Sequence, residues 1–144
     1  MFRSSFIAAA AASALALMAA VPALAGPNGD TLTLTFETGA TTGAVMVALY
    51  DSETAYEGGQ PVRALSLPAD APVVAVFEGL PAGDYAVKAF HDVNGDGQMN
   101  VSPFGMPTEP YAFSNNAVGN MGPASWDRAK FTVSGATAQT ISIR

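Results

Sequence analysis

"FEGLPAGDYAVKAF", residues 77–90, decides the fold. Pro81 and Gly83 suit a tight turn, because proline pre-sets one backbone angle and glycine accepts conformations that other residues avoid. After the turn, Tyr85, Val87 and Ala89 alternate with Asp84, Ala86 and Lys88, the period of two that marks a strand. Before it, "PVVAVFEGL" (72–80) supplies a second strand, and Leu80 stands where a large side chain can plug the end of a core. The stretch reads as a β-hairpin with Tyr85, Val87 and Ala89 turned inward.

The same pattern extends in both directions. "TLTLTFE" (31–37) alternates Leu32, Leu34 and Phe36 with threonines, and "GAVMVALYD" (43–51) puts Val45, Val47 and Leu49 on one face with small or flexible apolar groups on the other. "VRALSL" (62–67) reads as an edge strand whose charged Arg63 discourages further pairing. Downstream, "AKFTV" (129–133) turns Phe131 and Val133 inward, and "QTISI" (139–143) does the same with Ile141 and Ile143. Only Ala124–Arg128 suggests a helical turn. Seven short strands punctuated by turn residues predict an all-β protein, a single antiparallel seven-stranded Greek-key sandwich of transthyretin-like or immunoglobulin-like type. The missing cysteine pair favours the first type. The 77–90 hairpin resembles that of transthyretin-like and carboxypeptidase-regulatory-like sandwiches, where a phenylalanine strand turns through Gly-Leu-Pro-x-Gly into a Tyr-x-Val strand.

Ahead of these strands the chain is different in kind. Arg3 precedes an apolar run from Phe6 to Val21, and Ala23-Leu24-Ala25 offers a small-x-small cleavage site before Gly26. This is the pattern of a Sec-type signal peptide over residues 1–25, with a domain over 26–144 and a periplasmic or secreted destination. A retained N-terminal anchor is the other reading. Without cysteine no lipid can be attached through a thiol, and no disulfide supports the domain. Cleavage removes one of the 6 basic residues, leaving 5 against 12 acidic ones. That balance argues against nucleic acid or an anionic membrane as partner, and leaves a glycan, a peptide or an envelope protein. A monomer is expected.

Between Asp92 and Asp127 the sequence shows little strand or helix signal. So long an ordered loop is uncommon in a compact domain and tends to be functional. Phe104, Met106, Tyr111, Phe113, Met121 and Trp126 carry too much apolar surface to leave in water, so the segment is expected to fold back as an ordered cap. It opens with "HDVNGDGQMN" (91–100), where Asp92, Asn94 and Asp96 alternate ahead of Gly97. Alternate short oxygen-bearing side chains wrapped by a glycine turn can present three ligands to Ca2+, extended by the carbonyl of Gln98 and the amide of Asn100. Position 12 of such a loop is Pro103 rather than a glutamate, so a complete shell needs a distant acid, Glu109 or Asp127. The same residues also suit an Asx-turn with no ion at all. His91 reads either as a general base or as a residue that orients the loop. Asn115 and Asn116 could contact a sugar or peptide beside the aromatic platforms Tyr111 and Trp126, or could satisfy backbone groups inside the cap.

"FHDVNGDGQMN", "FGMPTEPYAFSNNA", Gly122-Pro123 and the run from Trp126 to Val133 resemble the uncharacterised exported bacterial family called domain of unknown function 2141. The resemblance covers nearly all of 26–144 and implies no activity, substrate or catalytic residue. Absences exclude more. No cysteine means no thiolate zinc site, one histidine cannot build an imidazole one, and no phosphate loop or nucleophile elbow occurs. The expectation is a non-catalytic binding or structural module. The alternatives are a small envelope hydrolase or lyase acting on a glycan, using Asp92, Glu109 or Asp127, and a small-ligand carrier with an apolar pocket.

Overall fold

The computed structural model describes residues 29–70 and 72–144. The expected leader and its cleavage point lie outside these residues. Eight strands form two sheets: β1 (Asp30–Glu37), β2 (Ala44–Tyr50), β3 (Arg63–Pro68), β4 (Val73–Leu80), β5 (Gly83–Asp92), β6 (Tyr111–Phe113), β7 (Phe131–Val133) and β8 (Ala136–Ser142). Among the described residues two short α-helices, α1 (Glu53–Gly58) and α2 (Trp126–Ala129), and a 3-10 turn at Ser114–Asn116 accompany them. One sheet has the order β4-β1-β8; the other runs β3-β2-β5-β6, with β7 also paired to β5.

The expected 77–90 hairpin is corrected: its two strands do not pair, and the turn is a corner at which the chain passes from β4 in one sheet to β5 in the other. Gly79 and Gly83 both have positive φ around the turn, and the Tyr85 hydroxyl donates to the Pro81 carbonyl at 2.7 Å, tying the strand back onto it. Leu80 is buried at the end of the core. Alternation then builds the interior, in which Leu32, Leu34 and Phe36 meet Val45, Val47 and Leu49, closed by Val87 and Ile141. Removing such side chains from water is the main favourable term in folding.

Three further expectations are corrected. The sheet is not wholly antiparallel, since β1 and β8 pair in parallel from Thr31↔Ala136 to Glu37↔Ser142. Hairpins set the direction of neighbours in sequence, but β1 and β8 are the first and last of the described strands. Their relative direction is set by the crossing from β7 through Gly135, whose carbonyl accepts from Thr31 N at 3.0 Å. An eighth strand, β6, adds to β5 from inside the expected cap segment. The helix α1 has too few residues to show a period, and its signal is local: the Ser52 hydroxyl accepts from Ala55 N at 3.2 Å and Glu53 sits in the first turn. Edge strand β3 is as expected, and Arg63 donates to the Glu78 carbonyl at 2.7 Å, clasping it to β4 of the facing sheet.

Outside the sandwich, α1 and α2 cover part of the outer face of the larger sheet. Tyr56, Ala86, Phe113, Ala124, Trp126 and Ala129 form a second apolar cluster there. The Tyr56 hydroxyl donates to the Ala124 carbonyl at 2.7 Å, and burial pushes its pKa up to about 12.

Asp30 departs from this economy. It faces inward at the start of β1, is 2% exposed, and neither carboxylate oxygen has a hydrogen-bond partner among the described residues. A buried carboxylate without partners opposes folding. Asp30→Leu is therefore expected to raise the unfolding free energy in urea by about 1–3 kcal/mol. A less stable variant would mean that the carboxylate is held by a partner outside the described residues.

Candidate functional site

Two regions bring the sequence candidates together, a polar corner at the end of β5 and an apolar groove beside it. At the corner, Gly43 adopts φ +75°, and a Cβ there would fall 2.0 Å from the Asp92 carbonyl, so only glycine lets β2 and β5 meet this closely. His91 is 1% exposed and donates through Nε2 to the Thr42 carbonyl at 2.6 Å, an orienting contact between the start of β2 and the end of β5.

Asp92 organises the turn that follows. Its Oδ1 accepts from Gly95 N at 2.9 Å and Asp96 N at 3.2 Å, and its Oδ2 accepts from Gly97 N at 2.7 Å. Glu109 comes from the far side of the loop and accepts from Val93 N and Asn100 N, both at 3.2 Å. Asp96 accepts from Gln98 N at 2.9 Å and from the Asn100 amide at 2.9 Å, with Asn94 at 3.4 Å. The backbone bond from Gln98 first, and the Asn100 amide after it, hold the Asp96 carboxyl below the usual aspartate range. Carboxylate oxygens of Asp92, Asp96 and Glu109 all lie within 4.8 Å of one another. Of the two distant acids, Glu109 reaches this cluster. Asp127 does not; it lies on α2, exposed, paired with Lys130 at 3.3 Å.

The asparagine block works on backbone. Both residues have positive φ, 60° at Asn115 and 50° at Asn116. Asn116 donates to the Thr140 carbonyl at 3.2 Å and accepts from Ser142 N at 2.9 Å, so its amide stands on β8 as a strand's peptide group would. Asn115 donates to the Arg128 and Lys130 carbonyls and exchanges two bonds of 2.9 Å with the Gln139 side chain. Beside them Ser114, fully buried, accepts from Val87 N at 2.9 Å and donates to the Ala129 carbonyl at 2.6 Å. Trp126 is no exposed platform, since it packs edge-on to Tyr56 at 5.8 Å in the second cluster. Tyr111 is 43% exposed.

The apolar expectation for the cap is corrected in part. Phe113 and Trp126 are buried, but Phe104 is 92% exposed, Met106 68% and Met121 104%. The stretch around Phe104 closes on itself, with Val101 bridged to Pro107, Ser102 N on the Met106 carbonyl and Thr108 N on the Asn100 carbonyl. It stands as a wall and leaves the sheet uncovered. The result is an open groove of about 1190 Å³. Strand pairing lays its floor in two rows, Ser66–Met46–Phe90–Tyr111 and Ala64–Ala48–Lys88–Phe113. Met99, Phe104, Met106 and Pro107 form one wall, and Met121 and Pro123 contribute another.

Lys88 is the only charged residue lining the groove among the described residues. Its ammonium sits 4.3 Å from the Tyr56 ring centroid and 5.1 Å from that of Tyr50, and donates to the Tyr56 carbonyl. Burial lowers its pKa, partly opposed by Glu57. Met46, Lys88, Phe90 and Met99 escape a reading by motif. The flexible apolar outer face of "AVMVALY" is the signal that points to them.

All-β architecture, a carboxylate-ordered corner and an open, largely apolar groove characterise the described residues. The chain matches the family described as "uncharacterized protein conserved in bacteria (DUF2141)" over residues 37–142, well over half its length. It belongs to that family. Neither a curated protein nor a solved structure matches it. Among the described residues no helix is long and apolar enough to cross a membrane.

Asn116 closes an otherwise open β8 edge. Asn116→Ala is expected to lower stability by about 1–3 kcal/mol, the net worth of the two hydrogen bonds lost. It should also make the protein self-associate with rising concentration, because a bared edge pairs with other chains. Equal urea midpoints and an unchanged sedimentation profile would remove the asparagine from that role.

Proposed function

We propose that this protein is an exported, non-catalytic binding module that holds a small, mainly apolar molecule in the groove over β3, β2, β5 and β6. One observation carries the reading: an open groove of about 1190 Å³ whose described lining is mainly apolar, with Ser66, Lys88 and the tyrosines Tyr50 and Tyr111 as its polar side chains. Ligand sites are concave and mostly apolar with a few polar groups. A free outer sheet face is usually polar, so Met46, Ala48 and Phe90 on this one favour a ligand. Kinship with transthyretin-like sandwiches belongs to the same proposal, and the fold by itself assigns no role.

The hydrolase alternative needs two acids facing a cleft. Among the described residues no aspartate or glutamate lines this groove, and the corner that gathers Asp92, Asp96 and Glu109 lies outside its lining. The carrier reading is therefore preferred.

Nile red, a neutral dye that fluoresces in apolar sites, tests it. Saturable binding to the folded protein is expected. Ala48→Trp, which fills the middle of the floor, should weaken binding by at least about tenfold, ~1.4 kcal/mol, without lowering the melting temperature. Val74→Trp on the opposite sheet should change nothing. Equal binding by the Ala48 variant would overturn the proposal.

We also propose that the polar corner takes Ca2+, on the observation that Glu109 joins Asp92 and Asp96 within 4.8 Å. Hard oxygen ligands of this kind suit calcium, with Asn94, Gln98 and Asn100 close by to complete the shell. Millimolar Ca2+ should raise the melting temperature, Mg2+ should do little, and chelator should reverse the shift. Asp96→Ala should abolish it. Identical melting in chelator and in millimolar Ca2+ assigns the corner to its backbone hydrogen bonds alone.

A further inference from the structure

We propose that the methionines of the groove bind a soft monovalent cation, Cu(I) or its analogue Ag(I), through their thioether sulfurs. The chain has 6 methionines, and Met1 and Met18 precede the described residues. The other four, Met46, Met99, Met106 and Met121, all line the same groove. They come from β2 and from separate loop segments, so sequence proximity does not gather them. None belongs to either buried cluster.

That distribution runs against the usual use of the residue. Methionine fills irregular gaps in cores because its side chain is long and flexible. Here leucine, valine, isoleucine and the aromatics build the cores, and every described methionine is kept for one open surface. The property that separates methionine from leucine at such a surface is a polarisable sulfur on a mobile arm. Met46 is half-buried in the floor beside Phe90, and Met99 is half-buried in the wall. Met106 and Met121 are exposed and unpacked, free to swing toward an ion.

The donor set also defines which ion. Soft thioethers select Cu(I), whereas carboxylate and carbonyl oxygens suit Ca2+, Mg2+ and Mn2+. Among the described residues no carboxylate lines the groove, the chain has no cysteine, and His91 is turned to the Thr42 carbonyl outside it. Lys88 adds a positive charge that disfavours a divalent ion more than a monovalent one. Cu(I) and Ag(I) are left as the matching class. The inference rests on the groove being a ligand site, as proposed above, but not on an apolar molecule filling it.

The test uses the full chain labelled with ¹³C at the methionine ε-methyls. Under anaerobic conditions Ag(I) is titrated directly, and Cu(I) in competition with bicinchoninate. Ag(I) should shift the methyls of Met46, Met99, Met106 and Met121 together. The Met106→Leu, Met121→Leu pair should weaken Cu(I) binding by at least about tenfold. Replacing all four by leucine should abolish it while Nile red still binds, since leucine preserves an apolar lining. Unmoved methyls in the wild type, or undiminished metal binding by the paired or fourfold variant, overturn the proposal. Metal binding without Nile red binding defeats the apolar-ligand reading and leaves this one standing; the reverse result does the opposite. Should the fourfold variant fail to fold, the wild-type methyl shifts and the paired variant decide.

Discussion

Every region with a chemical identity hangs from β5, because that strand has to satisfy both of its edges and both of its faces. One edge is filled by β2 along seven residue pairs, from Ala44↔Asp92 to Tyr50↔Ala86. The other is shared by β7 near its start and β6 further on. Its inner face, Tyr85, Val87, Ala89 and His91, is buried between the sheets. Its outer face changes character along its length: Ala86 lies under the helices, Lys88 and Phe90 under the open groove, and Asp92 at the polar corner. A slip of one residue in pairing would exchange the faces and dismantle all three regions together.

Pairing on both edges also explains the labour of the polar side chains. Two sheets packed face to face leave the outer strands with unpaired backbone groups, and this chain meets them with side chains as well as strands. Arg63 reaches from β3 to the Glu78 carbonyl on one flank. On the other, Asn115 and Asn116 reach the backbone at Lys130, Thr140 and Ser142, and Ser114 links Val87 to Ala129. Asn115 and Asn116 accept positive φ, which asparagine tolerates better than most residues. Against this habit of satisfying buried groups, Asp30, whose carboxylate has no hydrogen-bond partner among the described residues, is conspicuous.

The strands were legible because alternation reports burial directly: Leu32, Leu34, Phe36, Val45, Val47 and Leu49 all turn inward as their spacing requires. Partner choice over long range was not legible, since nothing local to "TLTLTFE" or "QTISI" states that they run in parallel. Helix α1 and strand β6 were too short for a period to emerge. At the corner, side-chain type and spacing pointed to Asp92 and Asp96, but only folding shows that Glu109 joins them while Asp127 does not. The groove was hidden by a sound rule applied to the wrong residues. Apolar side chains in a long loop are usually buried, and Phe113 and Trp126 obey; Phe104, Met106 and Met121 do not.

Lys88 shows on which side of the balance between stability and function the groove falls. Burial lowers its pKa, so the folded state disfavours its charged form. The sign follows: the penalty is full below the folded pKa and is relieved only as pH rises toward the unfolded value. At neutral pH the fold therefore carries this cation at a cost, offset in part by the two tyrosine rings and the Tyr56 carbonyl. An aliphatic residue would fit the same row beside Ala48 and Phe113 without that penalty. The exposed Phe104, Met106 and Met121 also leave apolar surface in water where polar residues would serve stability equally well. Two independent departures from the most stable choice, one in the floor and one in the walls, meet in one groove. Departures of this kind concentrate where a chain does its work, which is the physical ground for the groove reading proposed above.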